Sequence, residues 1–218
     1  SWCISNKIVR LSLQKNNKEI ELLGIFDSVS LHLEVGNVYM LPPPGGFFQA
    51  TKLAEKIILQ NIFSYIKNFQ SLKILDLFSG SGTFSLPLLK NNHYVYSVDA
   101  NELFINSLIK ASKEQNLFNK LNTSIINLMK NNLETQFIKL FDLVIVDPPR
   151  SGAKLAYNKL AEAKIPKIIS ISCNVDTFLS NCKILLKNDY KLISIIPIDQ
   201  FLFTFLHKCR FGNMSMTA

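Results

Sequence analysis

The chain has 218 residues, 48% of them hydrophobic and 18% charged, with a formal net charge of +8. That length and balance suit one α/β domain with a small appendage. They exclude a chain dominated by disorder, and the most apolar stretch, 190–206, is broken by Lys191, Pro197 and Asp199, so it reads as buried strands and not as a membrane span. A basic surface attracts phosphate backbones, although a chain this rich in Lys, Asn and Ile owes part of its charge to composition.

Residues 1–41 alternate apolar and polar positions in short bursts, at 8–13, 20–23 and 29–33. These read as antiparallel strands. The chain opens Ser1-Trp2-Cys3, with neither an initiator Met nor a signal-peptide pattern, so it reads as a fragment lacking an N-terminal part. Pro42-Pro43-Pro44-Gly45-Gly46 is a hard break, and 47–65 reads as a loop and a helix. From residue 72 the pattern becomes strand–helix alternation. Strands are expected at 73–78, 94–99, 124–128, 141–147, 167–172 and 190–198. Helices are expected from about Thr83, around Leu103, Ile105, Leu108 and Ile109, and over 176–186. Continuously apolar strands in repeated βα units imply a mostly parallel, doubly wound sheet. The chain divides into a β-rich part at 1–48, a connection at 49–71 and the sheet domain at 72–218.

In such sheets, ligands bind beyond the carboxyl ends of the strands. The first strand runs into Asp76-Leu77-Phe78-Ser79-Gly80-Ser81-Gly82. Gly80 and Gly82 permit a tight turn and close backbone approach to a ligand. The dinucleotide fingerprint needs a third glycine where Ser85 stands, and no Lys-Ser/Thr follows, so neither NAD nor a nucleoside triphosphate is indicated. Asp99 ends the second strand, where a carboxylate can accept from two ribose hydroxyls. Asp76, just before the turn, is placed to meet a cationic or amino group. An adenosine-type ligand without pyrophosphate fits best, and S-adenosylmethionine is the obvious one.

Asp147-Pro148-Pro149-Arg150 ends the fourth strand. Two prolines stiffen the backbone there, making a wall for a planar base. Asp147 can accept a hydrogen bond from cofactor or base, and Arg150 can hold a phosphate or carbonyl oxygen. Ser172-Cys173-Asn174 ends the fifth strand, before a helix. A thiol near a helix N-terminus is favoured as thiolate. Cys182 reads as a core residue, and Cys3 and Cys209 carry no signal. The four cysteines lack C-x-x-C spacing, which argues against a zinc or iron–sulfur site and for reduced thiols in a cytoplasmic protein.

Residues 75–87, 147–152 and 172–174, together with Gly45-Gly46-Phe47-Phe48-Gln49-Ala50 and Asp199-Gln200-Phe201, resemble the bacterial RNA uracil-C5 methyltransferases. These enzymes make 5-methyluridine in ribosomal and transfer RNA. The resemblance runs from about residue 40 to about residue 205, in the family's order. It implies a class I, Rossmann-like S-adenosylmethionine-dependent methyltransferase sheet with a small N-terminal β-rich appendage. It also implies that Gln49, Phe78, Gly80, Gly82, Thr83, Asp99, Asn127 and Asp147 surround S-adenosylmethionine. Cys173 would be the nucleophile; Asp147 and Arg150, read from their place in the turn after the fourth strand, are the further catalytic and substrate-binding candidates. Thiolate addition to uracil C6 would make C5 nucleophilic enough to take a methyl group. The target base would have to be flipped out or unpaired. The expected partner is RNA, ribosomal in preference to transfer, handled by a monomer without a membrane.

The chain departs from the family at three points. The 218 residues do not read as including the N-terminal RNA-binding barrel or the four-cysteine iron–sulfur site that the family carries. Val175 stands where a proline usually follows Asn174. Lys208 occupies the position of the proton-abstracting Glu and Leu206 that of a His, with His207 between them. The tail from Arg210 does not read as an apolar strand, which suggests that the sequence diverges near Phe205. Two alternatives therefore stay open. One is a degenerate RNA-binding remnant. The other is an RNA cytosine-C5 methyltransferase, disfavoured because Pro149 stands where its second cysteine would be.

Overall fold

The computed structural model describes residues 2–14, 20–25, 32–46, 48–131, 133–199 and 211–217. A one-turn helix, α1 (Trp2–Ser5), precedes two hairpins. β1 (Arg10–Gln14) pairs antiparallel with β2 (Ile20–Ile25), and β3 (Leu33–Val35) with β4 (Val38–Met40). Of the burst expected at 29–33, residues 29–31 lie outside the described residues.

α2 (Lys52–Ile66) begins where Thr51 Oγ1 accepts from the Ala54 amide at 3.1 Å. That side-chain cap satisfies a donor which the first helical turn leaves over. Ala54, Ile58, Leu59, Ile62 and Ile66 recur at helical spacing and are buried. They share a core with Val35, Val38 and Met40 of the second hairpin.

The sheet domain then alternates as expected. β5 (Lys73–Leu77), α3 (Ser85–Lys90), β6 (Tyr94–Asp99) and α4 (Glu102–Glu114) come first. β7 (Leu121–Ile125), α5 (Thr135–Ile138), β8 (Leu143–Val146) and α6 (Lys154–Ala163) follow. β9 (Lys167–Ser170), α7 (Val175–Leu186), β10 (Lys191–Pro197) and β11 (Phe211–Thr217) complete the chain. The seven-stranded order is β10-β11-β9-β8-β5-β6-β7, parallel except for β11. Successive side chains of a strand point to opposite faces, so the interior strands feed two cores. Ile74, Leu143 and Ile145 join the layer of α2, α3 and α4. Leu75, Leu77, Val144 and Val146 join that of α6 and α7. This double burial explains why β8 reads as an unbroken apolar run, and why β5 is apolar at every buried position except Asp76.

Three expectations need correction. The strand expected at 124–128 lies three residues earlier, at Leu121–Ile125, because its ladder partner β6 ends at Asp99. Beyond it Asn127 starts a turn, its Oδ1 accepting from the Met129 amide at 3.0 Å. Leu128, which prolonged the apolar pattern, is buried from that turn. The segment beginning at 190 is not uniformly buried. Tyr190 and Ile198 are, but Leu192, Ile193 and Ile195 of β10 are 40–55% exposed, because β10 is the sheet's edge. The tail does form a strand. β11 pairs antiparallel with β9 on one side and β10 on the other. Its mixed sequence hides this, since backbone pairing on both sides is indifferent to side-chain polarity. The suggested divergence near Phe205 falls outside the described residues.

Candidate active site

A cavity of about 580 Å³ opens beyond the carboxyl ends of β5, β6, β8 and β9. Its position between β5 and β8 is where strand order reverses, the usual ligand crevice of such sheets. Its volume falls within the roughly 300–1,000 Å³ common for small-molecule sites. Of the eleven residues singled out from sequence, nine line it: Gln49, Phe78, Gly80, Thr83, Asp99, Asn127, Asp147, Arg150 and Cys173.

Gly82 does not. It has φ +93°, and a Cβ there would lie 2.5 Å from Leu108 Cδ1, so it lets the turn pack directly on α4. Gly80 has φ +55° and a Cβ there would meet nothing within 4 Å, because that space is the cavity. Phe78, between β5 and the turn, has φ +62°. A bulky side chain in that region is strained, and such strain gathers at ligand sites.

Asp99 fixes the turn. Its Oδ2 accepts from the Gly80 amide and its Oδ1 from the Asn101 amide, each at 2.9 Å. A carboxylate has about four acceptor positions, so capacity remains on the cavity side. Ser79 is buried and its Oγ has no hydrogen-bond partner among the described residues, although the residue lines the cavity.

The reading of Asp76 needs correction. It is fully buried beneath the turn and does not line the cavity. Instead of a cationic group it meets a hydroxyl: its Oδ2 accepts from Ser85 Oγ at 2.5 Å, and Ser85 Oγ lies 2.7 Å from Ser97 Oγ. Burial pushes its carboxyl up to about 7, the Ser85 bond opposing the shift and the charges of Asp147 and Asp99 adding to it. Asp147 is half-buried on the cavity wall and is likewise pushed up to about 7 by burial, tempered by a 3.2 Å hydrogen bond from Gln49 Nε2. Arg150 is exposed at the mouth and forms no ion pair among the described residues.

Cys173 is half-buried in the same cavity. The next residue, Asn174, caps α7, its Oδ1 accepting from the Asp176 and Thr177 amides at 2.9 and 3.2 Å. The thiol thus sits at a helix N-terminus. Cys182 is buried within α7, and burial pushes its thiol up to about 12. Sequence reasoning missed Ala100, Phe104 and Met129, which also line the cavity. Phe104 was findable, because the Asn101 cap of α4 puts its first turn at the cavity edge. Gln200, Phe201, Leu206, His207, Lys208 and Cys209 lie outside the described residues. No helix among the described residues is long and apolar enough to cross a membrane.

The family model described as tRNA (Uracil-5-)-methyltransferase matches residues 27–212. The chain belongs to that family. An uncharacterized RNA methyltransferase of Agrobacterium fabrum is 34% identical over 172 residues, 79% of this chain and 41% of the relative. A 23S rRNA (uracil(747)-C(5))-methyltransferase of Pyrococcus abyssi is 33% identical over 166 residues, 76% of this chain and 38% of the relative. The chain thus spans less than half the length of these curated relatives. Among solved structures, the tRNA (uracil-54, C5)-methyltransferase of Pyrococcus abyssi with S-adenosyl-L-homocysteine superposes with a TM-score of 0.75. It is 23% identical, with 96% of this chain and 50% of that chain covered. Magnesium protoporphyrin IX methyltransferase from Synechocystis with bound SAM gives a TM-score of 0.58 at 16% identity, covering 76% of this chain and 80% of its own. These likenesses establish the Rossmann-like methyltransferase fold.

Proposed function

We propose that this chain is the catalytic part of an enzyme that methylates C5 of uracil in RNA, with S-adenosylmethionine as donor. The observation that carries the reading is the shared cavity: Cys173 and the Gly80 turn line one space of small-molecule size. Family membership supports the reaction class. Ribosomal RNA is the proposed substrate in preference to transfer RNA, because relatives near 30% identity from Pyrococcus abyssi and Mannheimia succiniciproducens are 23S rRNA uracil-C5 methyltransferases.

The residues present fit an adenosine-type donor. Gly80 offers a bare backbone to open space. Asp99 keeps acceptor capacity for ribose hydroxyls, and Ser79 holds a hydroxyl without a hydrogen-bond partner among the described residues. Gln49, Phe78, Thr83, Asn127 and Asp147 complete the proposed binding wall, while Gly82 serves by packing the turn. When bound, the donor supplies an electrophilic sulfonium methyl group.

The chain supplies the nucleophile. The Cys173 sulfur adds to C6 of the uracil, and the C5=C6 pair moves toward C5 and the O4 carbonyl. C5 would take the methyl group as its bond to the donor's sulfur breaks, leaving a neutral thioether; a base would then take the C5 proton, and the returning pair would reform the double bond as the bond between C6 and the Cys173 sulfur breaks. Pro148 and Pro149 hold the base in plane, Arg150 faces its carbonyl or phosphate, and Asp147 orients donor or base. Holding both reactants in one cavity supplies the proximity the reaction needs. The test is incubation with methyl-labelled S-adenosylmethionine and undermodified ribosomal RNA, followed by nucleoside analysis. Label in 5-methyluridine supports the proposal, and label confined to other nucleosides refutes it.

A further inference from the structure

Beside the cavity runs a second depression of about 490 Å³, lined by Ser151, Lys154, Thr177, Ser180, Lys183 and Lys187, among others. It begins where the cavity ends. Arg150 lines the cavity and Ser151 this groove; Cys173 lines the cavity and Thr177, one helical turn later, the groove. The close approach of the two walls depends on Gly152, whose φ is +79° and whose Cβ position lies 3.1 Å from Thr177 Cβ. That contact sets the 149–152 turn, closed by the Gly152 amide bonding to the Pro149 carbonyl at 2.8 Å, against α7.

Along α7, Thr177, Ser180, Ile184 and Lys187 fall on one helical face. From Thr177 to Lys187 the helix rises about 15 Å. Lys154, from the first turn of α6, faces this row, and Lys183 flanks it. The three lysines differ from several others in the chain. Lys110, Lys159 and Lys164 each reach a carboxylate, and Lys113 and Lys167 each lie over an aromatic ring. Lys154, Lys183 and Lys187 are exposed, and no carboxylate lies within ion-pairing distance among the described residues. Three uncompensated cations interleaved with hydroxyls form a track for consecutive phosphates, which ammonium groups and hydroxyls both contact.

We infer that this groove seats the RNA backbone flanking the target uridine, with Lys154, Lys183 and Lys187 as phosphate-contacting positioning residues. The inference rests on the proposed RNA methylation and adds where the strand leaves the cavity. RNA running along α7 from the Cys173 end would be anchored on one side of the reacting base, so phosphate contacts would fix its register without reading sequence.

The experiment is equilibrium binding of a single-stranded ribosomal RNA oligonucleotide to the full chain between 50 and 200 mM salt. It compares wild type, K154A/K183A/K187A, the charge-keeping K154R/K183R/K187R, and a control, K67A/K90A/K139A, that removes three exposed lysines elsewhere. S-adenosylmethionine binding is measured in parallel. Loss of three phosphate contacts lowers the slope of log affinity against log salt by about 2, at about 0.7 per single-strand phosphate. The groove variant is expected to show that loss with cofactor affinity unchanged and KM for RNA raised more than kcat falls. The arginine variant and the control should keep the wild-type slope. An unchanged slope in the groove variant, or an equal loss in the control, overturns the groove while leaving the methylation proposal intact. A wild-type chain that neither binds RNA nor forms 5-methyluridine overturns both.

Discussion

Gln49 donates from Nε2 to Asp147 Oδ2 at 3.2 Å, although the two residues are 98 positions apart. The loop that leads into α2 is thereby tied to the turn after β8, and both line the cavity. The bond stabilises the charged form of a carboxylate that burial has pushed up to about 7.

Removing that donor has a defined sign. Gln49→Ala is expected to raise the Asp147 pKa further, because the Gln49 hydrogen bond is what opposes the effect of burial. Carboxyl-carbon titration by NMR checks this, with Asp147→Asn identifying the resonance. A downward shift contradicts the assignment.

The two turn glycines separate stability from binding. Gly82→Ala places a Cβ at positive φ and 2.5 Å from Leu108, which should cost about 2–5 kcal/mol from strain and overpacking together. Gly80→Ala meets no atom of the described residues within 4 Å and should cost only the backbone strain, about 1–2 kcal/mol. It should nonetheless weaken S-adenosylhomocysteine binding at least about tenfold, since its Cβ enters the ligand space. Thermal unfolding and calorimetric titration of both variants distinguish the two effects. Equal loss of stability in the two would contradict this division.

Asp76 makes stability depend on pH. Its folded pKa lies near 7, well above the ordinary carboxylate value, so the folded chain holds a proton that the unfolded chain has released. The associated stability is present below about pH 4 and is lost as pH rises toward 7. Asp147 contributes with the same sign. Urea midpoints between pH 4 and 8 should fall with pH in wild type and fall less in Asp76→Asn. Parallel curves would show that Asp76 does not carry a raised pKa.

Cys173 and Cys182 share α7 or its approach yet differ in access. Cys182 is buried, with its thiol pushed up to about 12. Alkylation at pH 8 followed by peptide mapping should modify Cys173 well before Cys182. Cys182→Ser should leave methyl transfer intact, apart from any loss of stability.

Much of this was legible because the cavity sits at strand ends. Interior strands such as Leu143–Val146, buried on both faces, announce themselves by unbroken apolar runs, and Asp147 follows directly from where that run stops; Asp99 and Cys173 close runs that are apolar apart from serines. Failures came where tertiary contacts override local pattern. Asp76 looked like a ligand-facing carboxylate, but the alternation of β5 turns it under the turn toward Ser85. Gly82 looked like a ligand glycine, yet its requirement is Leu108, a residue 26 positions on. β11 was invisible because its place is set by ladders to β9 and β10. The Gln49–Asp147 bond, joining distant segments, leaves no local signature at all.

The most direct test of the account uses RNA carrying 5-fluorouridine at the target, with methyl-labelled S-adenosylmethionine. Fluorine cannot leave C5 as a proton does, so the Cys173–C6 bond should persist after methyl transfer whatever base serves the normal reaction. Wild type and Cys182→Ser should give a species that survives a denaturing gel and contains protein, RNA and label, and Cys173→Ser should give none. The same species from Cys173→Ser, or labelled RNA without any adduct from wild type, would contradict the claim that this sulfur activates the base.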